Sequence, residues 1–299
     1  MRRWVAVCVA LFVTFLWSTS YILNKWAFAD GIGPMTLAGL RYSLAAITLG
    51  IAKLATRRQA TEATRPPTVW QFAGLGIAGY LVAQGFQYVG QYFVTPTQTN
   101  MVLAVGNTSL VLLAGAIWLG ELPSTRQGWG IGLALSGIVL YNWGFRLQPG
   151  NLAGIGMLLL SGIGYAIQTT ASRSLLGRKA TTPLDLTLYP MAVGGAGMLI
   201  LGLSLETLPV FSLKLLGLLL WLAVLNAALG FFLWNIALRS LQAFEISILA
   251  NTMLLQTALM DVLLLGRSID ARKLTALAMV TAGILTVQTA KRKLKAPAA

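Results

Sequence analysis

The sequence predicts an all-α membrane protein of ten transmembrane helices, built as two inverted five-helix repeats with both termini cytoplasmic. Three observations predict it. Apolar residues make up 57% of the chain and charged residues only 10%, with a mean hydropathy of +0.74, whereas a soluble domain needs roughly 25% charged residues to clothe its surface. Ten apolar runs each approach the roughly 20 residues that cross a bilayer core. The two halves also resemble each other, and five helices per half is an odd number.

The elements follow in order. The run 4–28 comes after Met1-Arg2-Arg3 and resembles a signal peptide, but it is too long for one. It contains Trp17, Tyr21 and Lys25 and no small-x-small cleavage site, so it reads as a retained helix. The run 34–55 opens after Asp30-Gly31-Ile32-Gly33-Pro34 and ends before the one connection of any length, around 57–68. Arg65-Pro66-Pro67 precedes 70–93, Thr95-Pro96 precedes 97–119, and Leu122-Pro123 precedes 126–145. In the second half Pro149-Gly150, Thr182-Pro183 and Leu208-Pro209 introduce 151–175, 184–205 and 213–238, and two further runs cover 243–265 and 271–290. No soluble domain fits between them.

Lys and Arg orient the bundle. An N-terminus inside places Arg2, Arg3, Lys53, Arg57, Arg58, Arg65, Arg126, Arg173, Arg178, Lys179, Arg239, Lys291, Arg292, Lys293 and Lys295 in the cytoplasm. Only Arg146, Lys214, Arg267, Arg272 and Lys273 fall outside. This excess in short loops predicts cytoplasmic termini. It also accounts for the net charge of +14, because the basic residues sit between apolar runs and form no nucleic-acid patch. With no His and a single Cys, Cys8, the chain offers no disulfide framework, zinc site or His-based acid–base machinery.

The repeat runs through both halves, 1–146 and 147–299. Ser20-Tyr21-Ile22-Leu23-Asn24 lines up with Gly164-Tyr165-Ala166-Ile167-Gln168, Pro34 with Pro183, and Leu119-Gly120-Glu121 with Leu265-Gly266-Arg267. After five helices the second copy starts on the opposite side, so the repeats are inverted. Inverted repeats around a midplane cavity are a transporter architecture, since exchanging the conformations of the halves exchanges the open side.

Leu16-Trp17-Ser18-Thr19-Ser20-Tyr21, Lys25, Pro34 and Leu40-Arg41-Tyr42 resemble the opening of the EamA-type drug/metabolite transporters, with their Trp-Gly…Lys…Pro…Arg pattern. The apolar-Gly-Glu turn that ends each repeat of that family is matched at Leu119-Gly120-Glu121 and Leu265-Gly266-Arg267. The resemblance covers nearly the whole chain. Ser18 stands where the family usually has Gly, and Arg267 where the second repeat usually has Glu. Within the family, Tyr80, Gln84 and Tyr165 are most similar to the YddG aromatic amino acid exporters. The resemblance implies a transporter of aromatic and other neutral amino acids and related metabolites in the bacterial inner membrane.

Polar side chains are costly in lipid and face the bundle interior or a watery cavity. On the third run Tyr80, Gln84, Gln87, Tyr88 and Gln91 recur at helical spacing on one face, able to hydrogen-bond a polar solute and stack on an aromatic one. The repeat sets Asn226 opposite Tyr80 and Trp234 opposite Tyr88. It pairs Tyr21 with Tyr165 as vestibule walls, with Asn24 and Gln168 one turn on. Met101 and Trp17 complete the substrate-contact set, Met101 as an adaptable wall. Asn100, Asn107, Asn251 and Gln256 read as helix–helix hydrogen bonds, and Lys25 and Arg41 as topology or snorkelling residues.

No charge falls at the predicted midplane: Asp261 lies toward the outer end and Glu245 near the cytoplasmic interface. A proton-coupled antiporter usually needs a carboxylate there, so uncoupled facilitation is expected. A transporter of phosphorylated solutes would need converging basic residues, which the predicted midplane lacks, and an intramembrane enzyme a catalytic pair, where only Asp261 lies deep enough; a proton-coupled drug/metabolite antiporter and a phosphorylated-solute carrier stand as the alternatives. Gly74 to Gly79 spells G-x-G-x-x-G but lies inside an apolar run, where it permits close helix approach and makes no dinucleotide site. Gly128, Gly132 and Ser136, with Ala278 and Ala282, predict that the fifth and tenth helices pack together. The expected partners are a small-molecule substrate and the bilayer, with no nucleic acid, no cofactor, no metal and a monomeric chain.

Overall fold

In hydrocarbon each backbone N–H and C=O must be paired within its own segment, which a helix does and an isolated strand cannot. The computed structural model describes residues 1–55, 67–94, 96–143, 151–207, 212–265 and 270–290, and their regular structure is helical. We number the helical runs α1 (Arg3–Ala29), α2 (Pro34–Ala55), α3 (69–93), α4 (96–119), α5 (Thr125–Tyr141), α6 (Leu152–Gly177), α7 (Pro183–Leu205), α8 (Leu213–Leu238), α9 (243–265) and α10 (Ala271–Thr289). Six of these, α1, α2, α4, α6, α7 and α8, are long and apolar enough to cross a membrane. The Gln and Tyr stripe dilutes the apolarity of α3.

Side-chain caps start several helices. Thr68 and Gln71 form a reciprocal capping box on α3, and Ser124 and Gln127 form one on α5. Thr182, Ser212 and Asp270 cap α7, α8 and α10 by accepting from backbone N–H groups that have no helical partner. Two helices widen in mid-course. Ile77–Gly85 of α3 and Trp221–Leu229 of α8 are π-helical, with i→i+5 bonds, and α9 breaks for one residue at Asn251. Ser161 of α6 donates to the carbonyl of Ala83 in the first wide segment at 2.6 Å.

Each helix of the first half packs antiparallel against one of the second. Asp30–Lys214 and Trp17–Asn226 join α1 to α8. Lys53–Asp185 and Gly39–Leu199 join α2 to α7, and Gly90–Leu158 and Gly79–Gln168 join α3 to α6. Thr108–Asn251 and Gly115–Ala243 join α4 to α9.

The α5–α10 contact is as predicted in its helices but not in its face. Gly128 and Gly132 meet nothing within 4 Å, and Ser136, Ala278 and Ala282 are exposed. Gly130, Ala134 and Gly137 make the crossing instead, against Ala276, Val280 and Gly283. The small-residue spacing occurs twice on α5, one residue apart, and only one copy faces α10. The Gly74–Gly79 segment does pack closely: a Cβ on Gly76 would lie 2.6 Å from the carbonyl oxygen of Pro190. The turn at Gly266-Arg267, the loop residues Arg57, Arg58, Arg65 and Arg146, and the C-terminal Lys291, Arg292, Lys293 and Lys295 lie outside the described residues.

Candidate functional site

Where the antiparallel pairs meet at mid-bundle they leave a cavity. Its wall is drawn from both halves: Trp17, Tyr21 and Asn24 of α1, Arg41 and Tyr42 of α2, Gln84, Tyr88 and Gln91 of α3, Asn100 and Asn107 of α4, Tyr165 of α6, Phe231 of α8, and Ser247 and Asn251 of α9. Asn24, Gln91 and Asn100 carry it toward the end of the bundle where α1 stops and α4 begins. No acidic side chain is among the described residues of the wall.

The floor is an aromatic cluster. Tyr42 meets Tyr80, Phe231 and Tyr88 edge-on, at ring-centroid distances of 5.4, 5.8 and 6.4 Å, and Trp17 meets Phe231 at a tilt, 4.9 Å away. Over it runs a chain of polar contacts. The Tyr42 hydroxyl donates to Gln84 Oε1 at 2.8 Å. Arg41 Nη1 donates to the Tyr88 hydroxyl, Tyr88 donates to Asn24 Oδ1 at 3.4 Å, and Asn24 Nδ2 donates to Gln91 Oε1 at 3.2 Å. Arg41 is only 3% exposed. Its guanidinium carbon lies 5.2 Å from the Tyr42 ring centre, within cation–π range.

The family model of the EamA-like transporters matches this chain twice, over residues 4–143 and 152–289. The chain belongs to the EamA-like transporter family. Among its relatives, an uncharacterized transporter of Archaeoglobus fulgidus is 25% identical over 288 residues, covering 96% of this chain and 99% of that protein. An uncharacterized protein of Pseudomonas aeruginosa is 28% identical over 277 residues, covering 89% and 88%. A crystal structure with 18% identity superposes with a TM-score of 0.79 over 98% of this chain and 99% of the other, a likeness of fold.

In this EamA-like transporter the residues singled out from sequence divide into two groups. Gln84, Tyr88, Tyr21, Tyr165 and Trp17 come together at the cavity, with Asn24, Gln87 and Gln91. Tyr80, Met101, Asn226, Trp234 and Gln168 do not line it. Tyr80 is fully buried beneath Tyr42 and Phe231. Gln168 packs on α3 where Gly79 leaves room, since a Cβ there would fall 2.2 Å from Gln168 Cδ. Asn226 joins α1 to α8: its backbone oxygen accepts from Trp17 Nε1 at 2.9 Å, and its carboxamide, with the amide oxygen and nitrogen exchanged, bridges Leu16 O and Trp221 Nε1. Trp234 meets Trp17 at a tilt, with ring centroids 4.8 Å apart, and Met101 packs half-buried against the apolar core.

The sequence reading also missed part of the wall. Asn251 and Gln256 do link helices, to Thr108 Oγ1 at 3.1 Å and Thr14 Oγ1 at 3.0 Å. Asn100 and Asn107 instead line the cavity, and Asn107 Oδ1 is buried without a hydrogen-bond partner. Of the two cations read as snorkelling, Lys25 is exposed on the outside of the bundle and Arg41 is inside. Arg41 lies about two turns in from the Pro34 helix start, close enough to the helix end that its spacing alone does not mark it as enclosed.

Opposite the Asn24 end the helices are tied together. Gly120, at a left-handed φ of 58°, ends α4 and turns the chain so that Glu121 reaches the start of α9. Glu121 accepts from Ala243 N at 2.8 Å and from Arg173 Nε at 3.1 Å, and Arg173 also donates to the carbonyl of Arg239 at 3.1 Å. Arg3 pairs with the fully buried Glu245 at 2.8 Å. Lys53 pairs with Asp185 at 2.5 Å and donates to the Tyr189 hydroxyl at 2.9 Å. At the other end Glu206 accepts from Met35 N and Thr36 N at 2.9 and 2.8 Å, capping α2.

Proposed function

We propose that this transporter exports amino acids, aromatic and other neutral ones, and related metabolites across the bacterial inner membrane, as an uncoupled facilitator working by alternating access. The cavity is the observation that carries this reading. Polar side chains from both halves gather there, in a chain whose outer surface is largely apolar. Carboxamides and hydroxyls suit the polar head of an amino acid, and the Trp17, Tyr21, Tyr42 and Phe231 rings suit an apolar or aromatic side chain.

The antiparallel pairing supports ten spans in two inverted repeats, 1–146 and 147–299. On α5 and α10 the register that carries Gly137 onto Gly283 also carries Gly130 onto Ala276 and Ala134 onto Val280, and the contacts map onto one another. The excess of basic residues on one side supports cytoplasmic termini, which makes the tied end cytoplasmic and leans the cavity outward. The two halves contribute a complete wall, which favours a monomer as the working unit. The lack of an acidic side chain among the described wall residues favours uncoupled transport over a proton-coupled antiporter.

Arg41 gives a second reading, a carrier of phosphorylated solutes, its only specific support. A phosphate dianion calls for several converging cations, and Arg41 is the one basic residue among the described wall residues. That reading stays second.

Flux of radiolabelled Trp, Phe, Thr, Met and a charged amino acid into proteoliposomes, with and without an imposed proton gradient, tests the proposal. Saturable flux that equilibrates regardless of the gradient is expected. Gradient-driven accumulation would overturn the uncoupled mechanism, and no flux of any amino acid would overturn the substrate class.

A further inference from the structure

We propose that Arg41 is the seat of a substrate carboxylate, and that the transported solute is a monoanion or zwitterion bearing a carboxylate beside an apolar or aromatic body. The inference rests on the transport reading above and narrows its substrate class.

A buried charge needs a counter-charge or a ligand that supplies one. Arg41 is 3% exposed in the cavity wall, and every acidic side chain described is engaged elsewhere. Asp30 pairs with Lys214, Glu121 with Arg173, Asp185 with Lys53, Glu245 with Arg3 and Asp270 with Arg272, while Glu206 caps α2. The groups that do meet Arg41 are neutral: the Tyr88 hydroxyl takes one N–H, and the Tyr42 and Tyr88 rings flank the guanidinium. Arg41 Nε is buried with no acceptor. A guanidinium offers five N–H donors in a fixed fork that matches the two oxygens of a carboxylate. Most of that fork is unused here.

Three features select the ligand class. A single positive charge balances a monoanion and leaves a phosphate dianion half neutralised. The rings beside Arg41 place apolar surface next to the anion seat, as a phenyl or indole body requires. Asn107 Oδ1, buried and unpartnered in the same wall, is an acceptor able to take a hydrogen bond from an ammonium group. The Tyr88 hydroxyl takes one guanidinium N–H and donates to Asn24, which Gln91 holds in turn, so Tyr88 acts as a positioning residue.

The test uses purified full-length protein in detergent and three probes that share a ring and differ in head group: phenylacetate, phenylacetamide and phenyl phosphate. Saturable binding of radiolabelled phenylacetate is expected, displaced by L-phenylalanine and not by phenylacetamide, with phenyl phosphate the weaker competitor. Arg41→Gln should weaken binding about 10- to 100-fold, the range for a lost charge-assisted hydrogen bond, and Arg41→Lys should weaken it less. Equal competition by the acid and the amide, stronger competition by phenyl phosphate, wild-type binding in Arg41→Gln, or no saturable binding would each overturn the proposal. If Arg41→Gln does not fold, the wild-type competition series and Arg41→Lys decide it. Carboxylate binding without flux of any amino acid would overturn the transport reading and leave the seat standing. Amino acid flux equal in wild type and a folded Arg41→Gln would do the reverse.

Discussion

Gly130 and Gly283 face each other across the crossing of α5 and α10. A Cβ on Gly130 would fall 2.8 Å from the carbonyl oxygen of Gly283, and one on Gly283 would fall 2.5 Å from that of Gly130. Lipid tails are as apolar as the side chains they replace, so helices in a bilayer associate through close van der Waals contact. Glycine on both sides lets these two backbones touch.

Gly283→Val is therefore expected to destabilise the protein by about 1–3 kcal/mol, the usual cost of overpacking. Gly128→Val, on the open face of α5, should change stability by less than about 0.5 kcal/mol. Thermal unfolding in detergent micelles compares the two. Equal loss in both would mean that α5 meets α10 through the face carrying Gly128.

Two neighbours on α3 should separate stability from transport. Tyr80 is fully buried among Tyr42, Phe231 and α7, where Gly194 leaves only 2.3 Å between a would-be Cβ and Tyr80 Cβ. Tyr80→Ala should cost roughly 3–5 kcal/mol, as truncations of buried aromatics do, and lower the melting temperature and folded yield. Gln84→Ala removes a wall carboxamide and the acceptor of the Tyr42 hydroxyl. It should raise KM roughly tenfold, about the worth of one hydrogen bond, with the fold retained. The opposite pattern would move the substrate path from Gln84 to Tyr80.

Gly120 provides a third test. Its φ of 58° lies in the left-handed region, which costs a residue with a Cβ roughly 1–2 kcal/mol. Gly120→Ala should lower the melting temperature, whereas Gly217→Ala, where a Cβ meets nothing within 4 Å on α8, should not. Unchanged stability in Gly120→Ala would show that the α4 end relaxes out of this conformation.

The helical runs were legible because lipid imposes one rule on the whole backbone and Pro, Gly and polar turns punctuate it. The wall of the cavity was legible only in part. Helical spacing finds the stripe from Tyr80 to Gln91 but cannot rotate a helix that widens. The π-helical turns at Ile77–Gly85 and Trp221–Leu229 change the angle per residue, so Tyr80 and Asn226 fall away from the cavity while Gln84 and Tyr88 line it. Arg41 was misplaced for a different reason: a cation near a helix end normally snorkels. Only the packing of α2 against α3 shows that this one is enclosed.

Glu121 should control access from the tied end. Its two oxygens hold the first N–H of α9 and the Arg173 guanidinium, and Arg173 in turn holds a carbonyl at the end of α8. The carboxylate thus ties α4, α6, α8 and α9 at one point, and its negative charge is favoured at the helix N-terminus of α9. Glu121→Gln keeps the shape and removes the charge. The weakened bonds belong to the closed end alone, so the balance should shift toward opening there, roughly tenfold for one charge-assisted bond. Ser247, in the wall near the start of α9, is a suitable reporter. In a Cys8→Ser background, which removes the single exposed native thiol, a Ser247→Cys reporter should react about tenfold faster with a membrane-impermeant thiol reagent in inside-out vesicles when Glu121→Gln is present. Labelling from the opposite face should slow, because one opening excludes the other in alternating access. Faster labelling from both faces would indicate general loosening and would count against a gate at Glu121.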